Sequence, residues 1–419
     1  MRNKAMCSWF SRRLEINLPE VVGVLGTYQS GFKLRNTEIT FVEQAQQAAI
    51  GGLAAAGMTA DDIEAIVFSL APTAFMGVAD ADRWSIDAIF GSGKPMLRVH
   101  TGGATGGSAV QAAYALIRSG MYRTVMVVGA ERIAETPDAQ KVLNQIFDPF
   151  YEKDMPLQTI TSVAMMATAY MQRHAITQED LAALVVRQRK NAMRNRHAHL
   201  KGIITIEDVM ASPMIAHPFK LFDCCPRSSG SAAMVLGNMD AVRAYQTRPA
   251  FITGVGAISD SNWIGDRVVP SSEYDFVDWK LMRPVGQKCF ERAGITDPIN
   301  QIQVAEVYDA FSIQGLTQLE QLGFCASGAG FRLERDGAWE MDGGMVAVCP
   351  SGGTLCTNPI AVAGLVRAIE AADQVMGNAG EHQVASVKNA IATSVGGIAQ
   401  FLTCSVFSAD FVKEYPNVE

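Results

Sequence analysis

The chain has 419 residues, 48% of them hydrophobic and 18% charged, with 37 glycines and a formal net charge of −7. Single hydrophobic cores stop growing near ~250–300 residues, so two cores or two halves are expected. The apolar content and a mean hydropathy of +0.11 exclude a disordered chain; the acidic balance leaves no basic field for nucleic acid.

In chain order, Met1–Arg13 carries charge on both sides of a very short apolar patch, too short for the apolar region of a signal peptide. Short apolar runs then read as buried strands: Val21–Leu25, Ile66–Leu70, Leu97–Val99 and Val125–Val128, and later Phe251–Val255, Val304–Val307, Met345–Val348 and Ile391–Val395. Helical patterns lie between them: Thr40–Ala56 ahead of Gly57, and Ser108–Ser119, with Val110, Ala113, Tyr114 and Ile117 on one face, ended by Gly120. Strands alternating with helices predict parallel βαβ units and an α/β protein. The order of features occurs twice, which points to internal duplication. The halves divide near 240–250, giving 1–245 and 246–419. Residues 132–245 read as an excursion without a counterpart, holding a helix from about Ile160 to Arg173 and a basic helix near 179–196.

Three stretches without Asp, Glu, Lys or Arg are long: 99–117, 343–366 and 390–409. Gly, Thr, Ser, Asn and Gln run through them, so they read as buried glycine-rich core and not as membrane spans. Eight cysteines are scattered, with no CxxC pair. That spacing offers no zinc site and no disulfide scaffold. It fits reduced, buried thiols in a cytoplasmic protein without a metal.

Glycine-rich turns that open helices present backbone N–H groups to anions and developing oxyanions. Two turns qualify: Gly102–Gly107, including Gly103, and Gly352–Gly353 running to Asn358; a third glycine pair, Gly396–Gly397, lies in the uncharged C-terminal stretch. "VYDAF" adds the phenol of Tyr308 and the carboxylate of Asp309 just after a strand, where α/β sites commonly lie. A buried, hydrogen-bonded tyrosine explains Tyr308 equally well. His100 precedes the first turn; its context slightly favours a strand-end histidine bonded to backbone. Residues 187–201 hold Arg187, Arg189, Lys190, Arg194, Arg196 and Lys201 and no acid, which reads as a phosphate contact or a solvated basic face.

The segments "GGATGGSAVQAAYALIRSG", "MIAHPFKLFDCCPRSSGSAAMVL", "AEVYDAFSIQGLTQLEQLGFCASG", "GGTLCTNPIAVAGL" and "AIATSVGGIAQF" together resemble the thiolase superfamily, in its sterol-carrier/lipid-transfer branch, over about residues 18–408. The resemblance implies two duplicated βαβαβαββ halves in a five-layer αβαβα sandwich. It also implies coenzyme A thioesters as substrate, with Arg187, Arg189, Lys190 and Arg194 as candidate contacts, and a homodimer with its two-fold near Leu97–Val99.

The departures from that family narrow the chemistry. Gly103 stands where a working thiolase has its acyl-accepting cysteine, Asn358 where it has the "GHP" histidine, Ser394 where it has the C-x-G cysteine, and Tyr308 where it has the "NEAF" asparagine. A glycine cannot form an acyl-enzyme. The chain is therefore similar to the branch that includes bacterial steroid side-chain aldolases, which cleave β-hydroxyacyl-CoA together with a small zinc-ribbon/OB-fold protein. Tyr308 matches a tyrosine of those aldolases; their second tyrosine is absent, its loop here reading Asn358–Pro359. Three expectations stand open: a retro-aldol lyase acting on a bulky acyl-CoA; a divergent thiolase using another thiol, with Cys356 the candidate; and a non-catalytic binding subunit. By the same resemblance, Cys224 and Cys225 are expected to be structural.

Overall fold

The computed structural model describes residues 21–71, 75, 80–152, 154–246, 248–267 and 275–411. The reading of Met1–Arg13 lies outside the described residues.

Ten strands form one mixed sheet system. They are β1 (Val22–Gln29), β2 (Ala65–Ser69), β3 (Met96–Val99), β4 (Thr124–Arg132), β5 (Ser229–Asn238), β6 (Ala250–Ser259), β7 (Val304–Glu306), β8 (Ala347–Val348), β9 (Asn389–Gly396) and β10 (Phe401–Ser408). Their spatial order is β8-β7-β9-β10-β6-β1-β5-β4-β2-β3. The first half runs β3-β2-β4-β5-β1 and the second β8-β7-β9-β10-β6, which is the same order in each half's own numbering. The pairing senses match too: β2 is parallel to β3 and β4, as β7 is to β8 and β9. β5 is antiparallel to β4 and β1, as β10 is to β9 and β6. The halves join where β1 meets β6 through Gly23–Phe251 and Val24–Ala250.

This topology corrects one boundary. Ser229–Asn238 is not part of an excursion; it is the fifth strand of the first half and the counterpart of β10. "SGSAAMVLGN" looked like a loop because its small residues hide the alternation that marks a strand. The insertion proper carries α3 (Thr159–His174), α4 (Gln178–Ala192) and a short hairpin at Met214–Ala216 and Phe219–Lys220.

Most strands read as continuous apolar runs because helices cover both faces; the edge strand β3, expected to be buried, instead exposes Leu97 and Arg98. In β2, Ala65 and Val67 face the central core while Ile66 and Phe68 face an outer one, the period-two alternation of a strand. The outer helix of the first half is α1 (Phe41–Ala56). Thr40 caps it: the Glu43 N–H donates to Thr40 Oγ1 at 3.2 Å and the Thr40 N–H to Glu43 Oε2 at 2.7 Å. Gly57, at φ +66°, ends it. On the far side α5 (Met282–Ala293) covers β6 and β10, with α6 (Gln314–Gln321) packed against it.

Between the two half-sheets lie α2 (Thr105–Arg118) and α7 (Ile360–Met376), completing five layers. Every residue of α7 except Asp373 is buried. The uncharged stretches cover α2 as far as Ile117 and α7 as far as Val366, where an unpaired buried ion would cost several kcal/mol; further along α7, buried Arg367 is paired with Glu306 and buried Glu370 with His382. Their glycines set how closely the helices cross. A Cβ on Gly106 would lie 2.1 Å from the Leu365 nitrogen, and one on Gly364 2.7 Å from the Gly107 nitrogen. Among the described residues no helix is long and apolar enough to cross a membrane.

Candidate active site

The site forms where strand ends of both halves meet the N-termini of the central helices. β3 ends at Val99, and His100 leads into the Thr101–Ala104 turn that opens α2. The Thr101 N–H donates to Thr105 Oγ1 at 2.9 Å, and Thr101 Oγ1 pairs with Ser108 Oγ at 2.8 Å. β9 ends in Gly396–Gly397, pressed against this turn: a Cβ on Gly396 would lie 1.9 Å from the Thr101 carbonyl oxygen. Tyr308 follows β7. Asn358 connects the single helical turn Gly353–Cys356 to α7.

His100, Gly103, Tyr308, Asn358 and Gly397 line one cavity of about 610 Å³. Its wall is largely apolar, with Phe75, Leu143, Ile146, Val163, Phe311 and Phe401 contributing.

Tyr308 is rigidly held. Its N–H donates to Thr393 Oγ1 at 2.9 Å and its carbonyl accepts from Gln318 Nε2 at 2.6 Å. The phenol reaches Asn358 Oδ1 at 3.4 Å. Burial raises the phenol's pKa above its usual value, and Cys225 and Asp309 add to the shift. At neutral pH it is a proton donor and not a phenolate. The phenol also stands over Gly103, with its oxygen 2.6 Å from where a residue-103 Cβ would be.

Asn358 donates through Nδ2 to Cys225 Sγ at 2.9 Å, and its backbone N–H donates to Ser228 Oγ at 3.1 Å. His100 is an exposed residue at the rim of the cavity. Partial desolvation lowers its pKa first and the Arg98 charge second, so it is neutral and able to accept a proton near pH 7.

The other sequence candidates lie elsewhere. Asp309 is fully buried behind the cavity, where it accepts from the Thr354 N–H at 2.7 Å and from Gln188 Nε2. It ties the Gly353–Cys356 turn to β7 and α4. Gly353, at φ +67°, leaves room for that carboxylate, whose Oδ1 would sit 2.7 Å from a Cβ. Cys356 packs with Ala192 and Ala198, and burial pushes its thiol up to about 12. Gly396 serves the packing of two turns and does not line the cavity. Ser394 is wedged between the central helices, its Oγ within 2.4 Å of Cβ positions on both Gly107 and Gly364.

The four basic candidates separate by partner. Arg187 is buried in a two-pronged pair with Glu334, at 2.6 and 3.0 Å, which closes it to a ligand. Lys190 pairs with Glu340 at 3.2 Å and Arg194 with Asp342 at 2.8 Å. Arg189 stacks over the Phe222 ring at 5.5 Å and has no carboxylate partner among the described residues.

Cys225, expected to be structural, also borders the site. Among the described residues it is the one cysteine lining the cavity, with burial pushing its thiol up to about 12. Nothing in "FDCCP" distinguishes it from Cys224, because the distinction arises from the antiparallel bridge of Cys224 to Phe311. Asp260, Asn262, Gln314 and Gln400 were also missed. For Asp260 and Asn262 a signal existed: they are polar residues directly after β6, the position that singled out Tyr308 after β7.

Among the described residues no group of three or more His, Cys, Asp or Glu side chains is placed to hold a metal ion.

The model of the thiolase N-terminal domain matches residues 22–213, and that of the thiolase C-terminal domain-like family matches 267–409. An acetyl-CoA acetyltransferase of Methanothermobacter thermautotrophicus is 28% identical over 92% of this chain and 99% of its own. A 17-hydroxy-3-oxo-4-pregnene-20-carboxyl-CoA lyase of Mycobacterium tuberculosis is 28% identical over 87% of this chain and 94% of its own. Among solved structures, an Ltp2-ChsH2(DUF35) aldolase aligns with a TM-score of 0.78 at 26% identity, covering 94% of this chain and 99% of that one.

Proposed function

The chain belongs to the thiolase superfamily, and from that premise we propose that it cleaves a carbon–carbon bond of a bulky β-hydroxyacyl-CoA by a retro-aldol reaction without a covalent intermediate. The observation that carries this reading is the pair Gly103 and Tyr308: the place a nucleophilic side chain would need is filled by a phenol. The similarity to a CoA lyase and to an aldolase supports the same chemistry.

The steps follow from the groups present. Backbone N–H groups of the Gly103 and Gly397 turns face the thioester oxygen and stabilise the enolate. Neutral His100 takes the β-hydroxyl proton. The Cα–Cβ bond breaks, its electron pair moves into the enolate, and a ketone or aldehyde leaves. The Tyr308 phenol protonates Cα, and the protonated imidazole returns a proton to the phenolate. Protons balance and no thiol takes part. The apolar wall fits a hydrophobic acyl chain. Arg189, buried against Phe222 and without a carboxylate partner among the described residues, is the basic candidate whose charge is left for a CoA phosphate. Assembly as a dimer along β3, with a small zinc-ribbon/OB-fold subunit, fits the similarity to the Ltp2-ChsH2(DUF35) aldolase.

Cys225 supports one second reading, a thiolase with a displaced nucleophile, because its thiol lines the cavity beside Asn358. Intact-protein mass and peptide mapping after exposure to a β-ketoacyl-CoA separate the two. An acyl adduct on Cys225 selects the thiolase; an unmodified protein supports the lyase.

A further inference from the structure

Three separate segments meet behind Asn358. The stretch after α4 contributes His199 and Leu200, the residue just before β5 is Ser228, and the third segment is Cys356–Asn358 itself. The Leu200 N–H donates to the Cys356 carbonyl at 3.0 Å, and the His199 N–H donates to Thr357 Oγ1 at 3.0 Å. Ser228 holds Asn358 twice: its N–H donates to the Asn358 carbonyl at 3.2 Å, and its Oγ accepts the Asn358 N–H at 3.1 Å. The same hydroxyl lies 2.9 Å from His199 Nδ1.

Hydrogen-bond satisfaction assigns the protons. Ser228 is fully buried, and its hydroxyl has one proton to give. Its oxygen accepts from Asn358, and His199 Nδ1 is the one acceptor paired with this buried hydroxyl among the described residues, so the O–H points to Nδ1 and the imidazole carries its proton on Nε2. Burial and the Arg189 charge lower the His199 pKa and favour that neutral form.

Resting on the lyase reading above, we propose that His199 is a positioning residue: through the Ser228 hydroxyl it fixes the Asn358 backbone, and thereby the amide that meets the Tyr308 phenol. Asn358 sits in irregular backbone between a one-turn helix and Pro359, so no helical hydrogen bond fixes it on that side. The phenol contact is long, at 3.4 Å, and a small rotation of the Asn358 backbone breaks it. Without an acceptor at Nδ1 the buried hydroxyl turns to find another partner, and its lone pair no longer faces the Asn358 N–H.

The experiment compares His199→Leu, His199→Asn and Ser228→Ala with wild type, in steady-state cleavage of a β-hydroxyacyl-CoA and in hydrogen exchange of the peptide spanning 353–362. His199→Leu and Ser228→Ala are expected to lower kcat by about 10- to 100-fold, the cost of a misplacement near 1 Å, with KM within about three-fold. The Thr357 and Asn358 amides exchange faster. His199→Asn, whose Oδ1 takes the place of Nδ1, recovers kcat and protection. Unchanged kcat in His199→Leu, or no recovery in His199→Asn, overturns the proposal. If His199→Leu fails to fold, the other two variants carry the same comparison. If wild type does not cleave the substrate, the lyase reading falls; hydrogen exchange alone then decides the His199 link, and unchanged protection in His199→Leu refutes it.

Discussion

A Cβ on Gly103 would lie 2.6 Å from the phenol oxygen of Tyr308 and 2.4 Å from the carbonyl oxygen of Val395. One neighbour is a side chain; the other is backbone at the end of β9 and cannot give way without moving the Gly396–Gly397 turn. Gly103→Ala is therefore expected to lose most of its turnover, and the overpacking to cost about 1–3 kcal/mol of stability. Gly103→Cys is expected to acquire no acyl adduct from a β-ketoacyl-CoA. Thermal unfolding and intact mass check both; a stable, acylated Gly103→Cys protein contradicts the geometry.

The fold was legible in the sequence because its strands other than β3 are largely buried, and because α2 and the first turns of α7 run through stretches without charge. β5 and β10 were the exceptions: Gly230, Ala232 and Ala233 carry little hydrophobic signal, and Thr403, Cys404 and Ser405 interrupt the apolar run of Phe401–Ser408. The site was legible in part. Tyr308 and Asp309 are neighbours after a strand, and successive side chains point to opposite faces; one reaches the cavity and the other ties down a turn. Arg187 and Arg189 are two apart on a helix, hence on different faces; one is consumed by Glu334 and the other left unpaired. Cys225 and the apolar wall come from segments far apart in the chain, which spacing cannot connect.

Tyr308→Phe removes the proton donor and keeps the ring. It is expected to retain wild-type stability and to lose about 10²- to 10⁴-fold in kcat, the usual worth of a positioned acid or base. Cys356→Ala, in a dry cluster with Ala192 and Ala198, is expected to leave kcat unchanged. Steady-state kinetics on both variants is the check.

The pH profile follows from two directions. The His100 pKa is lowered from 6.5, so its base form is lost only as pH falls below that value. The Tyr308 pKa is raised from 10, so its acid form survives to alkaline pH. The profile of kcat/KM is expected to have an acid limb centred below 6.5 and none on the alkaline side up to about pH 10. His100→Gln removes the acid limb. A limb centred above 6.5 contradicts the assignment.

Among the basic residues, Arg189→Ala is expected to raise KM for acyl-CoA several-fold with kcat little changed, and Lys190→Ala to do neither. Arg187→Ala leaves Glu334 buried without its partner and costs about 3–5 kcal/mol. Kinetics and denaturant unfolding separate these outcomes.

The most direct measurement is product analysis of β-hydroxyacyl-CoA cleavage with no free CoA added, wild type beside Tyr308→Phe. The account predicts equal amounts of a carbonyl fragment and a shortened acyl-CoA from wild type, and almost none from Tyr308→Phe. Cleavage that requires added CoA, or that survives the loss of the Tyr308 hydroxyl, would contradict it.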